Sequence, residues 1–567
     1  MRSNASKYPG ACLALAMGLL AGSAAKGQTP AQAPGQTPGQ TPGQTQGQMQ
    51  AQPPAQSVRV NTEAVRPAGT PNLDVKNNSV QLSLDQAVEI ALQQNLGIVV
   101  ERYNRTRQRL AITESLGIYD LLANADLSAS DTNAAVVSAT EAGKSNQQEL
   151  NFSFTQRVPT GGDVSFGWRN SRVESNAAVR DVPESYDSGF TFAYSQPLLR
   201  DFGRLATERG IIVAQRNSQI SGQEFERIVT ATTQDVVNAY WNLVNAREQL
   251  VVAQQSLSLA QELHQRNRIQ VEVGTLAPLE LVQSEASIAT REEDIIRSTS
   301  SIGDAEDALR RLLNLPAEGG LWEKPIVPTT PPETERITID VDAAIATALQ
   351  ERPELRTQEV QLELARLDAE YFRNQLRPDL NLNVQYGYSG VGLRFGDAFD
   401  QITGLDFGRW FVQLQFAYPI QNRAARAQSA SANLNVERVQ TLLEDQRSLI
   451  TTEVRRAARG VETAAKTIDA ARTSVRFQEQ NLEAERKRYE NGMSSSFQIT
   501  QIQNDLTQAR SREVAATINY RTALAEYYRA TGRLLDQQGV AIDDATDPDW
   551  ASRRFSFRRE PLPGERR

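Results

Sequence analysis

Very little in this chain can do chemistry. Its 567 residues hold one histidine, His264, and one cysteine, Cys12. Nucleophile–imidazole pairs, thiolate chemistry and imidazole-rich metal sites all need more than that. A lone histidine on a helical seam is expected to be packed and hydrogen-bonded, not metal-bound. Carboxylate-pair and lysine chemistry stay formally open, but no spacing points to them. The expectation is a non-enzyme with no catalytic residue, no metal and no cofactor.

Bulk properties place the chain outside the cytoplasm. It is 40% hydrophobic with a formal charge of −8 and a mean hydropathy of −0.47. No run of 18 apolar residues appears, so no membrane-spanning helix is expected in the mature chain. Arg2 and Lys7 flank a short apolar core at 11–21, followed by Ser23-Ala24-Ala25. That pattern is a signal peptide over 1–25. A lipoprotein is the alternative, although Cys12 precedes the apolar core and a lipidated cysteine should follow it. Cleavage removes Cys12, hence any disulfide, and leaves a charge of about −10. An exported acidic chain gives no nucleic-acid reading. Residues 27–56 carry Pro-Gly-Gln-Thr repeats with nothing apolar to bury, and on composition the disordered linker is read over 26–78. The charged, aperiodic tail 536–567 reads the same way.

Between these ends the chain repeats itself. Ser83 and Gln86 form a capping box for a helix with lapses to about Leu122. Four strands follow, at about 123–130, 149–158, 162–171 and 187–196, with polar linkers at 130–148 and 171–188. Phe152 and Phe154, then Trp168, then Tyr194 sit on one face of a period-two pattern. From about Arg204 the period becomes seven: Val236, Leu243, Leu250 and Leu257 on one seam, Ala239, Ala246, Ala253 and Ala260 on another. Such heptads give long supercoiled helices with close neighbours. His264 falls on the first seam. A bend at Gly274 and Pro278 ends this run, and a second helix continues toward Leu315. A Pro-rich connector, 316–336, leads into the same order again over 337–535. Asp85 matches Asp342 at an offset of 257; Val236 and Ala239 match Val454 and Ala457 at 218, as Gly274 matches Gly492. The first repeat spans 79–315. In the second, Trp410 to Tyr418 alternate as a strand ended by Pro419.

The fold class is mainly helical with membrane strands. Strands of 9–11 residues can cross a bilayer when tilted, provided that they close into a barrel. Phe152, Phe154, Trp168, Tyr194, Trp410 and Tyr418 would face lipid or form its aromatic girdle. The alternative is the core of a soluble β-structure. Strands between helices put all helices on one side of the membrane.

The duplicated order, the segment Gln196-Pro197-Leu198-Leu199 and the bends at 274–283 and 492–501 resemble the TolC-type outer-membrane channels of efflux pumps and type I secretion systems. The resemblance covers about 80–535. It implies a homotrimer whose protomers build one outer-membrane β-barrel, continued by a periplasmic α-barrel with a closable tip. It also implies an inner-membrane transporter as partner, linked by a periplasmic adaptor, in a Gram-negative envelope. Such channels commonly use four strands per protomer. The favoured reading here is four core strands, with the hairpin around Thr160-Gly161-Gly162 folded outside the wall or into the lumen; six wall strands is the other.

The same resemblance makes the bends adaptor contacts: Gly274, Thr275 and Leu276 at one tip, Gly492, Met493 and Ser494 at the other. The plainer reading is that both glycines simply end helices. Some relatives carry two acidic lumen residues six and nine positions after the second glycine. Here those are Gln498 and Gln501, and the first tip has Glu280 and Gln283. Three Glu280 side chains could form a cation-attracting ring; a solvated carboxylate in a first helical turn is the competing account. The function expected is a passive exit duct. A secreted coiled-coil or adhesin-like stalk is the alternative, and it would need no amphipathic strands.

Overall fold

A computed structural model of the chain describes residues 74–76, 78–135, 143–176, 183–315 and 320–542. The signal peptide, most of the linker, residues 316–319 of the connector and the tail beyond 542 lie outside the described residues. No helix among them is long and apolar enough to cross a membrane.

Each half begins with a broken helix. Ser83 accepts from the backbone of Gln86 while the Gln86 side chain accepts from the backbone of Ser83, the capping box that starts α1, Leu84–Gln94. The helix expected to run with lapses to about Leu122 breaks at Asn95, which caps α2, Leu96–Leu116. The second half repeats the break with α5, Val341–Glu351, and α6, Pro353–Asn374. Pro353 stands at the first helical position, where a missing N–H costs nothing.

The long rods are α3, Arg204–Glu272, of 69 residues, and α8, Arg423–Glu490, of 68. At 1.5 Å per residue each is roughly 100 Å long. Beyond the bends lie α4, Leu279–Leu313, and α9, Ser496–Ala530. In the first half α2 and α4 both pack on α3; in the second α6 and α9 both pack on α8. The short helices therefore stack end to end beside each rod. Both α6 and α9 also pack on α3. The result is a single layer of four rods in the order α2/α4, α3, α6/α9, α8.

Side chains hold that layer together. Phe225, Tyr240 and Trp241 of α3 are fully buried with Val236 and Leu243 from the heptad seam. Truncating any of the three rings would cost about 3–5 kcal/mol. Around them lies a small sheet that the sequence concealed. β1, Asp74–Lys76, pairs antiparallel with β2, Ser79–Leu82, and β2 pairs parallel with β7, Ile326–Pro328. The linker reading, which ran to 78, thus took in the strand at 74–76, and the connector carries a strand. The Tyr240 hydroxyl donates to Leu82 O at 3.2 Å and accepts from Thr330 N at 3.0 Å, tying sheet to rod. The tail reading also needs correction: α10, Leu534–Gln537, docks Leu534, Leu535 and Val540 into the same core.

The remaining strands form one six-stranded antiparallel sheet in the order β3-β4-β5-β6-β8-β9. These are β3, Leu122–Asn133; β4, Lys144–Arg157; β5, Asp163–Ser175; β6, Glu184–Pro197; β8, Asp379–Gly392; and β9, Gly408–Ala417. Two expectations fall here. The hairpin at Thr160-Gly161-Gly162 is neither outside the sheet nor folded over it: β4 and β5 are interior strands paired on both sides. Much of the polar linkers is strand as well, since β3 to β6 run 12 to 14 residues. Serine, asparagine and glutamine lack an apolar alternation there, and the neighbouring strands supply the hydrogen bonds. The 158–162 turn lies at the helical end. Thr160 O accepts from Gly203 N at 2.9 Å, and at Gly161 (φ +93°) a Cβ would strike Asp201 O.

Candidate functional site: the amphipathic sheet and the hairpin tips

The register puts the expected aromatics on one face. Phe152 is opposite Trp168, Trp168 opposite Phe190, Phe166 opposite Phe192, and Tyr386 opposite Trp410. Phe152 and Trp168 stack with centroids 5.8 Å apart. Phe154, Tyr194, Val412 and Leu414 share that face by the period-two alternation. Trp410 is 75% exposed although it lies in a sheet of aromatic neighbours. Tyr418 follows the same alternation but stands one residue past the end of β9. The opposite face carries Asn151, Ser165, Gly167, Thr191, Gln385 and Gly387. The two faces thus differ as lipid-facing and lumen-facing surfaces of a membrane β-barrel do.

A helix that the sequence reading missed covers part of the apolar face. α7, Phe395–Thr403, joins β8 to β9. Phe395 and Phe399 pack on Trp168, and Phe399 on Phe190. Gly390 and Gly392 permit this: a Cβ on Gly390 would lie 2.0 Å from Ala398 O. Beside the helix, the Trp168 indole N–H donates to Ser188 Oγ at 3.1 Å, and Ser188 donates to Asn170 Oδ1 at 2.7 Å. The polar groups that would face lipid there satisfy one another. Phe395, Ala398, Phe399 and Ile402 at helical spacing were the available signal.

At the other end both bends close in the same way. Gly274 has φ +77° and Gly492 φ +71°. Gly274 N donates to Val271 O and Thr275 N to Gln270 O; Gly492 N donates to Tyr489 O and Met493 N to Arg488 O. Each is a paired Schellman closure, with glycine where a left-handed residue is required. Thr275 is exposed and its hydroxyl also donates to Gln270 O. Leu276 and Ser494 are half-buried, and Ser494 donates to Glu485. Large apolar side chains face solvent around both bends, with Leu279 at 64%, Met493 at 71% and Phe497 at 66% exposure.

The four expected constriction residues are not gathered at one point. Gln283 is exposed and lines an 850 Å³ groove between α4 and α9 with Thr500 and Asn504. Gln498 is exposed, and its backbone N–H donates to the Ser495 cap. Gln501 is exposed and lies 3.4 Å from Asp505. Glu280 is half-buried, with Oε2 enclosed and unpartnered. It lies close enough to the second hairpin to act on Tyr489. Burial first, then the Glu280 carboxylate, raises the Tyr489 hydroxyl above its ordinary value, with Arg266 opposing.

Tyr489 centres a lock between the hairpins that the sequence reading also missed. Its hydroxyl lies 2.7 Å from Asn267 Oδ1 and 2.8 Å from Gln270 Oε1. Asn267 is fully buried and donates to Ser496 Oγ at 2.8 Å. Around it Arg266 pairs with Glu490 and Arg486 with Glu262, both exposed enough to contribute little singly. Asn267 falls on the alanine seam and Tyr489 on the Val454 seam, so two polar departures from heptads were the signal. His264 sits beside this lock, its Nδ1 2.8 Å from Ser284 Oγ.

These features have counterparts in known proteins. The profile of the outer membrane efflux protein family matches residues 160–315 and 344–533. The fold is similar to the CmeC outer membrane channel of Campylobacter jejuni, at 16% identity and TM-score 0.59 over 80% of this chain and 86% of that one. It is similar to the outer membrane protein VceC of Vibrio cholerae, at 14% and 0.59 over 79% and 96%. It is also similar to the open state of the MtrE outer membrane channel of Neisseria gonorrhoeae, at 17% and 0.57 over 82% and 97%. Comparison of the sequence with curated proteins finds no match. With the profile covering both repeats, and the amphipathic sheet and twin hairpins in place, the chain belongs to the outer membrane efflux protein family.

Proposed function

We propose that the chain is one protomer of a passive trimeric duct that carries solutes from the periplasm across the outer membrane. The observation that carries this is the six-stranded sheet, apolar on one face and polar on the other, with all long helices at one end. Its edges need partners. β3 and β9 are exposed along their whole length, and strands cannot sit in lipid with open edges. β3 leaves the helices and β9 returns to them, so β9 of one copy meets β3 of the next antiparallel. The edge rods agree. α8 exposes Leu442, Leu449 and Phe477 at heptad spacing, and α2 exposes Leu96, Val100 and Tyr103 on one stripe. A second copy covers both edges together. The secreted stalk has no observation in its favour.

The tips are the docking surface for a periplasmic adaptor. Leu279, Met493 and Phe497, raised on the bends at Gly274 and Gly492, are its apolar contacts, with Thr275, Leu276 and Ser494 between them. The adaptor delivers cargo from an inner-membrane transporter, which supplies the energy. Glu280, Gln283, Gln498 and Gln501 line the mouth once the Tyr489 lock releases, and Glu280 then favours cations. The test is reconstitution of the full chain in a planar bilayer. Discrete conductance is expected, with a cation preference that falls in Glu280→Gln. Folded, assembled protein that passes no current would overturn the reading.

A further inference from the structure

The apolar face of the sheet has an outer edge, away from the helices, and α7 lies along it. The apolar positions of β8 run from Leu380 to Tyr388, opposite Phe416 to Gly408 of β9. That stretch, at about 3.4 Å per residue and tilted by about 40°, rises about 21 Å, close to the apolar band of about 25 Å in membrane barrels. The row of Tyr388, Phe190 and Trp168 ends the band. The same face then turns polar, with Asn170 opposite Ser188, Arg172 opposite Tyr186 and Glu174 opposite Glu184. α7 sits on this change. Its Phe395 and Phe399 reach the Trp168 row. Its Asp397 and Ala398 lie against Gly392 and Gly390, which stand opposite Tyr186 and Ser188.

We infer that α7 is an interfacial anchor, lying in the plane of the outer leaflet where acyl chains meet headgroups, and that it fixes how deep the sheet sits. Its partner is lipid, and two further observations point there. The first is a clasp. β9 begins at Gly408, so Val391 near the end of β8 has no β9 residue beside it. The Gln401 side chain takes that place, donating to Val391 O at 3.0 Å and accepting from Val391 N at 3.0 Å. Water would satisfy an open strand end; hydrocarbon would not. The second is Leu405. It is held at φ +59°, where leucine is strained, yet it is 60% exposed. With Leu393 just before the helix, 63% exposed, it makes an apolar fringe around α7. The two leucines enter the acyl boundary, while Asp397 and Asp400, both exposed, face the headgroups. The Arg172–Glu184 pair, at 2.6 Å, then stands in water beyond the leaflet.

This inference rests on the sheet being a membrane wall, as the duct reading requires, and one experiment separates the two. In the full chain carrying Cys12→Ser, a nitroxide is attached at Leu393→Cys, Asp400→Cys, Leu405→Cys, Val412→Cys or Gln283→Cys, one at a time. The proteins are reconstituted in phosphatidylcholine vesicles, and collision with oxygen and with a water-soluble nickel chelate gives the depth of each label. The Val412 label, about 10 Å deeper than the Tyr388 row, should be reached by oxygen and not by nickel. The Leu393 and Leu405 labels should lie within about 5–10 Å of the headgroup boundary on its lipid side, and the Asp400 label on its water side. Leu393 and Leu405 labels as open to nickel as the Gln283 label on α4 overturn the anchor and leave the wall standing. Shielding of both from oxygen and nickel alike also overturns it, by showing that a second copy of the chain is the cover. A Val412 label open to nickel overturns the membrane wall, and this inference with it.

Discussion

The two halves of the chain make the same break between their short helices with different chemistry. In the first, Asn95 Oδ1 accepts from Gly97 N at 2.8 Å and Ile98 N at 3.3 Å, and Nδ2 donates to Leu312 O at 2.8 Å. In the second the equivalent position is Arg352, 5% exposed, donating to Glu354 at 2.9 Å and to Glu453 at 2.8 Å. The exchange is reversed further along. Glu306 and Arg310 of α4 form a buried pair, with the partly exposed Arg247 as a second partner of Glu306, and at the offset of 218 the second half has Leu524, Tyr528 and Ala465. Backbone geometry survived duplication while the means of satisfying it diverged. A kink needs its end groups capped, and a neutral amide or a buried charge pair can both do that.

The sharpest way to break this comparison is to remove each cap. Arg352→Ala leaves Glu354 and Glu453 with only the more distant Arg529 and should cost about 3–5 kcal/mol. Asn95→Ala loses a helix cap and should cost about 1 kcal/mol. Thermal unfolding of the detergent-solubilised proteins compares them, and equal losses would show that the buried charge carries no special burden. The sheet offers a similar contrast across its faces. Val412→Arg, on the apolar face of β9 that we propose meets lipid, should cost about 2–4 kcal/mol of folding into bilayers, and Gln413→Arg, on the polar face, far less. Comparable losses at both sites would mean that the faces have been assigned wrongly.

Acid should expose the second half before the first. Burial pushes Glu354 and Glu526 upward, but hydrogen bonds and charge from Arg352 and Arg529 hold both below the ordinary 4.5. A depressed carboxylate contributes stability above its unfolded value and loses it as pH falls through the folded one. Stability should therefore decline below about pH 4.5, and Glu354→Gln should flatten that decline. Glu226, raised above 4.5 mainly by burial, works with the opposite sign. Glu226→Gln should steepen the acid loss, and a flatter curve would contradict this account. The smallest effect belongs to the tips. Gly274→Ala and Gly492→Ala each place a side chain at positive φ with open space around it, for about 1 kcal/mol of local fraying apiece. Hydrogen exchange of residues flanking each bend should rise equally, and unequal changes would show that the two closures differ.

Legibility followed the range of the signal. The capping box at Ser83, the twin closures at Gly274 and Gly492 and the seams through Val236 and Val454 are local patterns, and all could be read directly. Tyr489 lay in plain view on the Val454 seam and Asn267 on the alanine seam through Ala239, but only their meeting across two rods gave them meaning. The effect of the Glu280 charge on Tyr489 of the other hairpin has no local signature. Neither does α7, whose four apolar positions make a helix but do not say which face of the sheet it covers.

What the sequence by itself determined is the duplicated order, the length of the rods, the position of the bends and the apolar face of the strands. Each depends on periodicity or on one residue's backbone preference within a few neighbours. Tertiary structure decided that six strands share one sheet, that polar stretches at 130–133 and 144–148 are strand, and that residues 74–82 and 326–328 pair across the whole first repeat. Those outcomes rest on backbone hydrogen bonds between distant segments. A backbone amide is the same at every residue, so its choice of partner is settled by what the fold brings near.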